Sequence, residues 1–296
     1  MKIIDTTTFF EEKMMMNLRF NILNSYVDQF IICEARFTHS GKKKEINFKK
    51  KDYPEFEEKI IHLIIDKEPE NIINKNWLEP HELRLNSVLR IKAQRDYIAK
   101  SLNDNSPDDY IIHSDNDEIP DLEKIDFKKN KSKIILFKQI LFYYKFNLCL
   151  PNVDWFGSKS CKLKNLKSID TLRAIKNKKY PFFRVDTLFS KIKQQSVSII
   201  KDGGWHFSNL KNFEELERKY KNDENHSEYE SLGYTADKIK ENLKNKTIDY
   251  NHGAKKNSSE RFNSTKLENA QLNILPKFLK ENKKKYSDWF DLSTIS

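Results

Sequence analysis

An apolar run, Asp109-Tyr110-Ile111-Ile112-His113, leads directly into Ser114-Asp115-Asn116-Asp117-Glu118-Ile119-Pro120. The run predicts a buried strand, and ligands of open α/β sheets bind beyond the carboxyl ends of strands. Asp115 and Asp117, on a turn leaving such a strand, can converge on one hard cation. Mn²⁺ or Mg²⁺ takes oxygen ligands and keeps positions for phosphate. Such an ion would bridge a diphosphate and neutralise charge on a leaving group. The same residues also suit a plain acidic turn whose carboxylates cap a helix.

A second group is Gly203-Gly204-Trp205-His206-Phe207-Ser208. Paired glycines allow close approach of backbone to a ligand or to another strand. His206 can supply a third metal ligand to Asp115 and Asp117, or it can be a structural histidine beside a packed tryptophan. Glu34 ends the apolar run Gln29–Ala35 and can bond a ribose or a base, with Arg36 meeting phosphate; the alternative is a surface ion pair of little worth. Of the arginines along the segment 79–102, Arg95 is favoured to face phosphates. Glu118, Asp154 and Asp202 are the candidate catalytic carboxylates, with Asp202 preferred as a base because it precedes the glycine pair. Trp155 or Trp205 can stack on an apolar ligand face. No GxSxG, Walker loop, HExxH or GxGxxG is present.

These groups need a scaffold. Lys2 to Asp5, Gln29 to Ala35, Lys59 to Ile65 and Asp109 to His113 read as strands. Phe10 to Asn24 carries Met14, Met15, Leu18 and Ile22 at helical spacing, and Glu79 to Leu102 reads as a long helix with Leu83, Val88, Ile91 and Ile98 on its apolar positions. The alternation predicts an α/β fold with a mixed, mostly parallel sheet flanked by helices. Lys133 to Phe146 is one strand or a bent pair, and Ser196 to Ile200 a further strand. Asn165 to Lys176, Phe213 to Tyr220 and Ala236 to Leu243 are helical, 251–264 is loop, and a last helix lies near Pro276 to Lys284. Residues 1–250 form the expected catalytic domain, with 251–296 packing on it as part of a C-terminal helical layer.

The chain has 296 residues, 38% apolar and 33% charged, enough for one large folded domain. Its formal charge of +10 comes from lysines in runs such as Lys42-Lys43-Lys44. These are solvated surface, or they attract an anion: a nucleotide diphosphate or an anionic membrane touched peripherally. Acidic residues interleave with the basic ones, so no stripe for nucleic acid stands out. Three sparse cysteines suit a reducing compartment. No signal peptide opens the chain and no run reaches membrane-span length, so a cytoplasmic protein is expected.

Several ordered blocks resemble glycosyltransferase family 17, over most of the chain. They are Ile4-Asp5-Thr6-Thr7-Thr8-Phe9-Phe10-x-Glu12 with Leu18-Arg19, then Val27 to Ala35 with Thr38-x-Ser40-Gly41-Lys42, then Gln94-Arg95-Asp96. Asp108 to Pro120, Gly203 to Ser208 and Leu275-Pro276 complete them. Lys13 and Asn17 depart from the acids common in relatives. The resemblance implies a GT-A (Rossmann-like) fold and a UDP-sugar donor, UDP-GlcNAc by analogy. It further implies a glycan acceptor and inversion at the anomeric carbon by one in-line displacement. A GT-A-like binding protein without turnover, and a metal-dependent nucleotidyl- or phosphotransferase, are the competing expectations.

Overall fold

The computed structural model describes residues 1–222, 226, 235–250, 252 and 263–291. The expected loop at 251–264 therefore lies almost wholly outside the described residues. The first four strands are β1 (Ile3–Phe9), β2 (Gln29–Ala35), β3 (Ile60–Ile65) and β4 (Tyr110–His113). All four pair in parallel, in the order β3-β2-β1-β4. β2 and β4 are buried nearly throughout because both faces are covered, whereas β1 carries Asp5 and three threonines between its apolar ends. Helix α1 (Lys13–Leu23) buries Met15, Met16, Leu18 and Phe20 in the same core as Phe30 and Ile32 of β2. Cys33, Ile111 and Ile98 belong to a second core with α3 (Ile169–Ala174).

Helix α2 (Pro80–Tyr97) differs from its expected pattern. Its buried residues are Asn86, Ser87, Arg90 and Gln94, while Val88 is exposed. The inward face is polar because it hydrogen-bonds loops and strand ends: Gln94 Nε2 donates to the Cys33 carbonyl at 2.8 Å and Arg90 Nη1 to the His39 carbonyl at 3.0 Å. The segment 133–146 is the bent pair, β6 (Ile134–Phe137) and β7 (Ile140–Tyr143), and its two halves enter different sheets. β6 extends the main sheet through the antiparallel β9 (Lys159–Lys162), and β10 (Val197–Ile200) forms the far edge. The expected mostly parallel, helix-flanked sheet is thus what the chain forms, seven strands wide.

A second sheet was not foreseen. It joins β5 (Glu118–Pro120), β11 (Gly204–Ser208), β7, β8 (Leu148–Cys149) and β14 (Glu268–Asn269). A small ladder, β12 (Thr247–Ile248) with β13 (Thr265–Lys266), lies apart. Helices α4 (Phe213–Asn222) and α5 (Ala236–Asn245) cover β7 through Leu216, Tyr220 and Ile239. Helix α6 (Lys277–Glu281) and the turn after it close onto α1, where Tyr286 Oη donates to Asn17 Oδ1 at 3.1 Å. Asn17 and Lys13, which pairs with Asp52, therefore serve packing on that helix.

The acidic motif is more than a turn, since its end is strand β5. β5 pairs with β11 antiparallel, Gly204 facing Pro120 and His206 facing Glu118. Gly204 has φ of +132°, and a Cβ there would lie 2.2 Å from the Ile119 carbonyl oxygen. We expect Gly204→Ala to force β5 and β11 apart, at a cost of about 3 kcal/mol or more. The shift of the urea unfolding midpoint measures it.

Candidate active site

The site begins with one buried charge. Arg19, on α1, is fully buried and forms a two-pronged ion pair with Asp5 of β1, Nε to Oδ2 at 2.7 Å. Its remaining donors reach the acidic turn: Nη1 to the Glu118 carbonyl at 2.7 Å and Nη2 to Ser114 Oγ at 3.2 Å. A guanidinium suits this position because its donors point in several fixed directions and it stays charged.

The turn it supports carries two carboxylates bound to arginine. Glu118 Oε2 accepts from the Asp115 amide at 2.9 Å, which closes the turn. Glu118 Oε1 accepts from Trp155 Nε1 at 2.7 Å and from Arg173 at 2.8 Å. Asp115 accepts from Arg173 at 2.8 Å on one oxygen and from Arg95 at 3.2 Å on the other. Burial works to raise the Asp115 carboxyl, but Arg173 and Arg95 outweigh it and hold the group far below the usual carboxylate range. Burial likewise opposes the charge on Arg173, yet Asp115 and Glu118 push its pKa above the usual arginine value. Gly157 stands where a Cβ would lie 2.2 Å from the Glu118 carboxyl carbon, so only glycine leaves room for this carboxylate. Its carbonyl also accepts from Arg173.

Asp117 points elsewhere. Its backbone carbonyl accepts from the Phe207 amide at 2.8 Å, which ties the turn to β11. Its Oδ1 lies 3.5 Å from His206 Nε2. Burial acts to raise the Asp117 carboxyl, and His206 more than compensates, leaving it lowered. The His206 ring lies against Trp155, centroids 4.6 Å apart and planes at 34°. Glu12 completes the floor, accepting from Asn116 Nδ2 at 2.6 Å and lying 3.2 Å from Lys211 Nζ. Burial would raise this carboxyl too, but the Lys211 ammonium and a backbone donor bring it down to about 2. Together these groups line a cavity of about 560 Å³, into which Arg95, Arg173, Lys219 and His252 also face.

Asp115, Asp117, Glu118, Arg95 and His206 are therefore brought together as expected from their residue types, while five other candidates are not. Glu34 is fully buried, and its oxygens accept from the Asn47 and Phe48 amides at 2.8 and 3.0 Å and from Lys44. It clamps a loop and has no ribose or base to meet. Arg36 pairs with Asp66 at 2.9 Å, half-exposed and outside the cavity lining. Asp202 and Trp205 line a separate cavity of about 690 Å³. Successive side chains of a strand point to opposite faces, so with His206 toward the site Trp205 must point away; its Nε1 donates to the Ile274 carbonyl at 2.6 Å. Asp154 pairs with Lys138 at 2.6 Å and is mostly exposed, beside a small adjoining hollow.

Both Glu118 oxygens accept hydrogen bonds, from Arg173, Trp155 and the Asp115 amide, so this carboxylate braces the turn. The three-ligand metal set is corrected: among the described residues no three His, Cys, Asp or Glu side chains converge. Both Asp115 oxygens are held by arginine. Asp117 and His206 remain together on the cavity wall, Oδ1 to Nε2 at 3.5 Å.

Arg173, Glu12, Tyr143 and His252 had no clear sequence signal. Arg173 sits in an ordinary-looking helix, and Glu12 was visible only as part of the N-terminal block. Tyr143 Oη lies 2.6 Å from His252 Nε2 at the cavity wall.

The family model for glycosyltransferase family 17 matches residues 1–288. No curated protein matches the chain. Two crystal structures of HddC from Yersinia pseudotuberculosis are distantly similar. One has a TM-score of 0.30 at 8% identity over 69% of this chain and 92% of that one. The other, complexed with GMP-PN, has a TM-score of 0.29 at 8% identity over 67% and 90%. At such scores the likeness carries no argument.

Removing the charge under the turn tests the hierarchy of contacts. Arg19→Met leaves Asp5 buried without a partner and should cost about 3–5 kcal/mol in chemical denaturation. The double variant D5L/R19M should recover most of that stability. The acidic turn still loses its support there, so binding in the cavity stays impaired while the fold returns.

Proposed function

The chain belongs to glycosyltransferase family 17, and from that membership we propose that it transfers a sugar, GlcNAc by family analogy, from a UDP-sugar to a hydroxyl of a glycan acceptor. The observation that carries the donor class is the convergence of Arg95, Arg173, Asp117 and His206 on one cavity of about 560 Å³. Two planar guanidinium forks can each pair bidentately with the charged oxygens of a diphosphate. Trp155, fixed by Glu118, offers an aromatic edge to a sugar ring beside them.

Mn²⁺ or Mg²⁺ held by Asp117 and His206 would add positive charge where the departing diphosphate gathers negative charge. The chain's own residues supply the rest. Arg95 and Arg173 are oriented in advance by Asp115 and Glu118, so little reorganisation accompanies charge development. In an inverting displacement the acceptor oxygen forms a bond to the anomeric carbon as the bond to the phosphate oxygen breaks. The hydroxyl proton then needs an acceptor. The cavity carboxylates Asp115, Glu118 and Glu12 are engaged by cations and backbone donors, and Asp154 and Asp202 lie outside this cavity's lining. His252 lines the cavity, its Nε2 2.6 Å from Tyr143 Oη, and an imidazole can take up a proton, so we assign the proton to it.

The test is a panel of nucleotide sugars with Mn²⁺, with Mg²⁺ and with chelator, read by calorimetry and by nucleotide release. A UDP-sugar should bind in the presence of metal and release UDP slowly without acceptor. Asp117→Ala should weaken metal-dependent binding by at least about 100-fold. His252→Gln should keep donor binding and lower turnover by about 10²–10⁴-fold. If no sugar nucleotide binds with either metal, the donor assignment fails. If Asp117→Ala binds and turns over like the parent, the assigned site fails.

A further inference from the structure

The chain makes a long excursion between α3 and β10, and most of its large side chains cover nothing. Phe182, Phe183, Val185, Leu188 and Phe189 are exposed to 87, 67, 63, 74 and 86%. Among the described residues, the other exposed large apolar side chains, Met1, Trp77, Leu85, Val88 and Ile199, are spread along the chain. A dense apolar patch of this kind marks an interaction surface.

The excursion is held in shape by its own bonds. The Lys176 amide donates to the Ile192 carbonyl at 2.9 Å and the Tyr180 amide to Gln194 at 3.1 Å. Gln195 Nε2 reaches across to the Phe182 carbonyl at 3.1 Å and to Thr187 Oγ1 at 2.6 Å. Thr187 is buried, and its Oγ1 donates to the Arg184 carbonyl at 2.6 Å. Charge surrounds the apolar tip. Lys176, Lys178, Lys179, Arg184, Lys191 and Lys193 fall in this stretch, against the single acid Asp186. Asp186 is occupied by Arg184 and Lys193, both at 2.7 Å.

We propose that residues 176–195 dock the protein onto a bilayer with anionic headgroups. The phenylalanines and Leu188 enter the interfacial layer, and the surrounding lysines meet lipid phosphates and carboxylates. Aromatic and aliphatic tips bordered by cations complement such a sheet in both polarity and sign. Neither term is large enough alone, and interfacial binding commonly needs both. The inference is independent of the donor assignment. Its consequence for the site is positional: α3, which bears Arg173, ends at Ala174, and Asn177 of the excursion lines the hollow beside Arg173. The excursion therefore begins beside Arg173.

Co-sedimentation of the full chain with vesicles tests this, comparing phosphatidylcholine alone with a mixture containing phosphatidylserine. Binding should require the anionic lipid and fall as salt rises. F182S/F189S should weaken it at least about tenfold, and K178E/K179E at least about 25-fold, roughly fivefold for each lysine lost. All four side chains lie outside the cores, so thermal unfolding should match the parent. Equal partition onto both vesicle types, absence of binding at low salt, or variants that bind like the parent would overturn the proposal. So would a dimer in sedimentation velocity that F182S/F189S dissolves, without vesicle binding, because a second copy would then cover the patch.

Discussion

A guanidinium sealed inside the fold is the interaction on which the rest of the site hangs. Arg19 has no water to solvate it, so every donor must find an acceptor in the protein. Asp5 neutralises the charge, and Ser114 and Glu118 take the remaining donors. The acidic turn is shaped by this demand. With the Glu118 carbonyl turned inward to Arg19, its carboxylate is free to reach Arg173 and Trp155. Arg173 in turn reaches Asp115, and Asp115 reaches Arg95. Charges of alternating sign run from the core to the cavity wall, each oriented by the one beneath it. Removing the deepest takes away the bonds that hold the Glu118 carbonyl and Ser114 hydroxyl inward.

The two-residue period of β11 decides which groups share a cavity. His206 and Ser208 face Asp117, whereas Trp205 turns to the carbonyl of Ile274. Gly204 permits this because its backbone lies too close to Ile119 for any side chain. The antiparallel pairing of β5 with β11 then sets the register, so that His206 comes opposite the acidic motif.

The scaffold was the more legible part of the sequence. β2 and β4 announce themselves as apolar runs because strands covered on both faces have no polar side to show, and the edge strand β3 is still legible as an apolar run around His62. Asp115 and Asp117 were legible for a related reason, since they follow such a run at the end of a sheet where ligands bind. Helix α2 misled because its inner face contacts loops and carbonyls, so hydrophobicity marks the wrong side. Glu34 misled because it satisfies backbone amides thirteen and fourteen residues downstream, a partnership that leaves no local pattern. Trp205 was near the site in sequence but on the other face of its strand, and Asp202 sits in the turn before that strand, facing a separate cavity. Arg173 could not be read at all, because an arginine in a short helix looks alike whether it meets solvent or two buried carboxylates.

The bond from the Phe207 amide to the Asp117 carbonyl has a consequence for how the protein assembles. These residues are far apart along the chain, and closing so long a loop costs entropy before any contact is gained. During synthesis the acidic motif emerges well before β11 exists to hold it. The first four strands can associate early, but the motif acquires its final geometry only when residues beyond 200 arrive. Chemical competence is therefore a late event in the maturation of this chain, and a truncated product retaining the parallel strands would lack an organised site.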